Sequence, residues 1–161
     1  MQFNIGFSDE DVAYIYFVGG LFTVIFLPLM GNLADKYGKK KVFTVGTGLA
    51  VASILWITNL PPVGMVIALM ATSSYFVASS SRNVPATAIV TSVVRSESRG
   101  SFMSIRTSFN QFAIGASAQI AGFIVIENGN GTLSNYEYVG YLAVGMSLLA
   151  LALVYRLKIV S

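Results

Sequence analysis

No cysteine and no histidine occur in this chain. The first absence excludes disulfides and cysteine-held metals. The second removes the commonest metal ligand and the side chain that titrates near neutral pH. Charge is scarce as well: 11% of residues are Asp, Glu, Lys or Arg, against 55% hydrophobic. The interiors of the long apolar runs contain no carboxylate, and no basic segment precedes the first run as a signal peptide requires. With no paired intramembrane acids and no nucleotide loop either, an enzyme active site has nothing to be built from. No cofactor or metal is expected.

What remains is long stretches without charge. Residues 12–34 give 23 such positions, 42–81 give 40, 107–126 give 20 and 138–155 give 18. A helix needs about 20 mainly apolar residues to cross a hydrocarbon core of ~30 Å, so each run is long enough. Helices also satisfy their own backbone polar groups, as lipid demands. A soluble helical domain would need polar faces to meet water, and these runs offer little beyond Ser, Thr and Gly. The lipid bilayer is therefore the first partner. The basic isoelectric point, near 9.3, reports cytoplasmic loops, and no nucleic acid is expected.

Turn and charge signals divide the chain into helices at about 12–34, 42–59, 64–93, 101–126 and 136–157. The expected fold is an all-α, polytopic membrane helix bundle with five transmembrane helices. Pro61 and Pro62 stop the second helix, and Asn128-Gly129-Asn130-Gly131 marks a turn before the fifth. Orientation follows from the positive-inside rule. Lys36, Lys39, Lys40, Lys41, Arg95, Arg99, Arg156 and Lys158 all fall on one side. Asp9, Glu10, Asp11, Glu127 and Glu137 fall on the other. A multi-pass protein of the plasma (inner) membrane is expected, with the C-terminus cytoplasmic and residue 1 on the outer side. Five spans and an outer N-terminus also suggest a further helix before Met1, with residues 1–7 as its outer end and loop.

Between the first two helices the sequence reads Gly31-Asn32-Leu33-Ala34-Asp35-Lys36-Tyr37-Gly38-Lys39-Lys40-Lys41-Val42-Phe43. Gly31 suits close helix approach and Gly38 a tight turn with positive φ. Asp35, at a membrane boundary, needs a cation or a helix N-terminus. The segment resembles the loop signature of the major facilitator superfamily, Gly-x-Leu-Ala-Asp-Arg-x-Gly-Arg-Lys-x-x-Leu, with Lys at the first two basic positions and Phe43 at the last. Arg99-Gly100, opening the fourth helix, resembles an element at the start of that family's penultimate helix, and Pro85 stands where the preceding helix often carries proline.

The resemblance covers essentially the whole chain. It implies a partial superfamily fold: residues 1–161 as a C-terminal half lacking its first helix, with the missing N-terminal half as partner. It further implies transport of a small-molecule solute by alternating access, with proton-coupled efflux as one mode. Gly31, Leu33, Asp35, Lys36, Gly38 and Lys39 then form a gating motif, joined by Arg95 and Arg99 in a charge network when the inner gate is closed. The alternative is a truncated, non-transporting membrane interaction protein that pairs with another half.

Candidates for the solute path are Arg82, Asn110 and Gln111. Arg82 precedes Arg95 by 13 residues, about 20 Å at 1.5 Å per residue. Its guanidinium calls for a protein cavity or a carboxylate, either for anion recognition or for a structural ion pair with a helix outside this chain. Pro85 should bend the helix near it, and Ser79, Ser80 and Ser81 line a cavity or satisfy the loosened backbone. Arg106 is close enough to the cytoplasmic end to snorkel to headgroups. Gln119 faces away from Asn110, so the two do not line one path. Gly19, Gly20, Gly115 and Gly122 read as close-packing positions, and Asn130-Gly131-Thr132 as a turn despite its glycosylation-acceptor pattern.

Overall fold

The computed structural model describes residues 7–61, 63–129 and 132–157. Most of the segment expected as an outer loop at 1–7, together with Pro62, Asn130, Gly131 and Lys158, lies outside the described residues.

Ser8 opens the first helix. Its hydroxyl accepts from the Asp11 backbone N–H at 3.2 Å, and the Asp11 carboxylate accepts the Ser8 backbone N–H at 3.0 Å. This reciprocal cap, with Asp9, Glu10 and Asp11 against the positive end of the helix dipole, starts α1 (Asp9–Tyr37) three residues before the uncharged run does. The joint to α2 (Lys39–Thr58) is Gly38 alone, at φ +94°. The expected loop therefore contracts to one residue, because glycine reverses the chain where a side chain would be strained. Lys39, Lys40 and Lys41 become the first turn of α2, where the dipole disfavours cations. Lys40 Nζ offsets this by donating to the Leu157 carbonyl at 2.7 Å, beyond the end of the last helix.

α3 (Met65–Ser92) is continuous through Pro85. A short 3₁₀ turn, Ser96–Ser98, leads into α4 (Arg99–Ile124). Two-residue strands β1 (Ile126–Glu127) and β2 (Leu133–Ser134) pair antiparallel, held by Asn128 Nδ2 donating to Thr132 Oγ1 and Ser134 Oγ at 3.1 and 2.7 Å. α5 (Tyr136–Arg156) follows Asn135, which takes the left-handed conformation that Asn tolerates.

The size distribution of side chains is that of a bundle solvated by lipid. Ala50, Ala68 and Ala71 are fully buried, and so, nearly, are Thr47, Ser80 and Ser81. Phe112 and Phe123 are 75% and 79% exposed, with Phe17, Val24, Ile25 and Leu149 also turned outward. Large apolar groups gain nothing by leaving hydrocarbon, whereas small ones let backbones approach. Buried positions of α2 recur at 43, 46, 47, 50, 53 and 54, and those of α5 at 140, 147 and 154. Gly140 admits the Thr58 side chain, and Gly19 of α1 admits the Phe76 ring of α3. Phe43, Ile89 and Val154 tie α2, α3 and α5 together.

Among the described residues five α-helices form, and α1, α2 and α5 are each long and apolar enough to cross a membrane unaided. α3 and α4 are equally long but carry Arg, Asn and many hydroxyls, so their placement depends on neighbours. None of the residues of α4 is buried.

Candidate functional site

Arg82 lies on the same face of α3 as Ala86 and Ile89, four and seven residues on, which turn toward α5. Its Nη1 donates to Ser147 Oγ at 2.8 Å. The Ser147 hydroxyl spends its own proton on the Ala143 carbonyl at 2.8 Å. It therefore meets the guanidinium as an acceptor. Within this chain the partner is a neutral hydroxyl, which orients the cation without neutralising it. Ser147 lies seven residues from both Gly140 and Val154, on the stripe of α5 that the structure buries.

Arg106 also meets a hydroxyl of a neighbouring helix. Its Nη2 donates to Thr87 Oγ1 of α3 at 2.9 Å, and Thr87 donates to the Asn83 carbonyl at 2.9 Å. A protein acceptor within reach competes with the longer path to headgroups. Asn110 and Gln111 are exposed on α4, as is Gln119. The structure thus brings Arg106 and α3 together, but it does not join Asn110 or Gln111 to Arg82. Thr87, absent from the expected site, is the α3 residue that Arg106 meets, and Asn83 supports it through its carbonyl.

Two of the three serines before Pro85 are committed to the helix backbone. Ser80 and Ser81 are buried and donate to the Phe76 and Val77 carbonyls at 2.9 and 2.8 Å, the back-bonding habit of helical serine. The loosened carbonyl opposite Pro85 belongs to Ser81, and it faces Gly46 of α2. A cavity of about 290 Å³ opens elsewhere, between α1, α2 and α3, where Phe22, Phe26 and Leu49 surround Ser53, Ser73 and Ser74.

At the basic end, Ala34 is buried, Leu33 half-buried and Asp35 exposed. Among the described residues no ion pair joins Asp35 to Arg95 or Arg99, both of which are exposed. Lys36 Nζ sits 5.4 Å from the centre of the Tyr37 ring. Space for a Cβ is open at Gly31, so among the described residues no helix makes the close approach expected there. The same holds for Gly20, Gly115 and Gly122, whereas Gly19 meets Phe76.

Lys40 and Thr44 bind the end of α5, through the Leu157 carbonyl and the Tyr155 hydroxyl at 2.7 and 2.9 Å. The basic motif and the C-terminal end of α5 are thus one surface. A family model described as Major Facilitator Superfamily matches residues 1–160, while no curated protein and no solved structure matches the chain. Its members handle small solutes in a lipid bilayer. With a helical membrane bundle and the Gly31–Phe43 signature inside that match, the chain belongs to the major facilitator superfamily of transporters.

Proposed function

We propose that this chain moves a small solute across the plasma membrane by alternating access, as part of a permease whose remaining helices close against α4. The observation that carries the reading is Arg82, a cation deep in α3 held across to α5 by a neutral hydroxyl. A charge so placed in a membrane helix is expensive and marks a polar path or cavity. Arg82, Asn110 and Gln111 are the proposed path residues. The segment from Gly31 to Lys39, with Arg95 and Arg99, is the proposed inner gate, Asp35 pairing with an arginine when that gate is shut. The basic side faces the cytoplasm, and residue 1 the outside.

Proton-coupled efflux suits this reading if the proton-carrying acid comes from partner helices, because the helix interiors here contain none. The test compares cells expressing the protein and its Asp35→Asn variant at equal abundance, reading accumulation of a panel of labelled solutes. A solute should be displaced by the parent and not by the variant. Equal transport by both would remove Asp35 from the gate. The second reading, a non-transporting membrane protein that pairs with another half, is favoured by the absence of any buried residue in α4. It predicts unchanged accumulation of every solute together with a stable membrane complex.

A further inference from the structure

The only charges within the membrane-embedded lengths of α3 and α4 are Arg82 and Arg106, and the nearest carboxylate in the chain's sequence on either helix is Glu97 in the connecting turn. Both guanidiniums are met by hydroxyls whose protons are already given to backbone carbonyls. Each is oriented and neither is neutralised. A guanidinium has five N–H donors, and the hydroxyl that each arginine meets takes one of them.

The surroundings of Arg106 extend this. α3 ends and α4 begins at the same end of the bundle, joined by residues 93–98. Asn83 is four residues deeper than Thr87 on α3, and Asn110 four residues deeper than Arg106 on α4. One helical turn places each amide on the face that carries the Arg106–Thr87 bond. Both asparagines are exposed, and Asn83 Nδ2 has only a long bond, 3.3 Å, to Ser79 Oγ. The seam is open: no residue of α4 is fully buried, and the Arg106–Thr87 hydrogen bond spans it, while Asn83 and Asn110 are both exposed.

We propose that this α3–α4 seam is an oxyanion site, in which Arg106 takes a carboxylate or phosphate group of the carried solute and Asn83 and Asn110 hydrogen-bond its adjoining polar atoms. The inference rests on the transport reading, since it assigns the oxyanion to the solute. Charge complementarity selects the class. An uncompensated guanidinium in an apolar setting attracts an anion strongly, and its planar fork matches two oxygens at once. A cationic solute would meet repulsion from both arginines, and a neutral one would leave their charge uncompensated.

The experiment uses the full chain in nanodiscs of phosphatidylcholine, reading the thermal midpoint against succinate, inorganic phosphate and neutral succinamide. Succinate or phosphate should raise the midpoint saturably, and succinamide should not. Arg106→Gln should weaken the effect about 10- to 100-fold, the loss of one charge-assisted pair. Arg106→Lys, which keeps the charge and loses the fork, should retain weaker binding. Arg156→Gln, at the far end of α5, should change nothing. Absence of a saturable shift with either anion overturns the proposal, as does undiminished binding by Arg106→Gln. Adding anionic phosphatidylglycerol to the discs separates the remaining source of phosphate: protection that neither soluble anion displaces assigns the seam to a lipid headgroup and overturns the solute site. Transport of a neutral or cationic solute without anion binding defeats this site alone, whereas anion binding without transport defeats the transport reading alone.

Discussion

A Cβ on Gly46 would stand 2.7 Å from the carbonyl oxygen of Ser81. That oxygen is backbone and has no rotamer by which to move away. Pro85, four residues on, lacks the N–H that a regular helix would direct at it. A glycine in α2 therefore brings a Cα–H against the carbonyl that proline has loosened in α3, a weak but favourable contact. The break in one helix and the small residue in the next are two parts of one interface.

Gly46→Ala should consequently lower stability by about 1–3 kcal/mol, the range for overpacking. Gly48→Ala is its control, because that position is exposed and a Cβ there meets nothing within 4 Å. Alanine's better helix propensity makes the control neutral to slightly stabilising. Thermal unfolding of both variants in detergent measures the difference. Equal midpoints would show that α2 and α3 are not in this contact.

Ser147 carries the second prediction. Its hydroxyl is the acceptor for Arg82. Ser147→Ala strips that acceptor and leaves a half-buried guanidinium donor unmet, which should cost about 1–3 kcal/mol. Arg82→Gln combined with Ser147→Ala should cost less than the sum of the single changes, since the orphaned charge has gone too. A double-mutant cycle on unfolding midpoints reads this directly. Strict additivity would mean the pair is not coupled.

The helices, their order and the basic end were legible because uncharged runs and lysines are properties of composition along the chain. The joint at Gly38 was legible only as a turn. Its contraction to one residue depends on the backbone at Gly38, with φ +94°, and the Ser8 cap separately sets the start of α1 at Asp9. The partners of Arg82 and Arg106 were not legible. Each is a hydroxyl on another helix, 65 and 19 residues away. Serine and threonine are so common in these helices that nothing local distinguishes Ser147 or Thr87. Gly31 is the opposite case: the motif glycine implies close approach, and among the described residues a Cβ there would meet nothing within 4 Å.

That contrast gives a third prediction, between two glycines of one motif. Gly38→Ala places a side chain at positive φ and should cost about 1–3 kcal/mol. Gly31→Ala finds open space and should be close to neutral in this chain. If the two variants unfold alike, Gly38 does not hold the chain at that angle.

The complete lack of cysteine makes sidedness directly testable. Ser98→Cys lies in the exposed 3₁₀ turn between α3 and α4, and Gly129→Cys is exposed between β1 and β2. Connecting segments on the Lys- and Arg-rich side remain in the cytoplasm during insertion, so the two thiols should lie on opposite faces. A membrane-impermeant maleimide applied to intact cells should label position 129 and spare position 98 until the membrane is opened. The reverse pattern would put Lys36, Lys39, Lys40 and Lys41 outside. Asp35 could then have no part in a cytoplasmic gate, because the whole motif shares one end of the bundle with the Leu157 carbonyl that Lys40 binds.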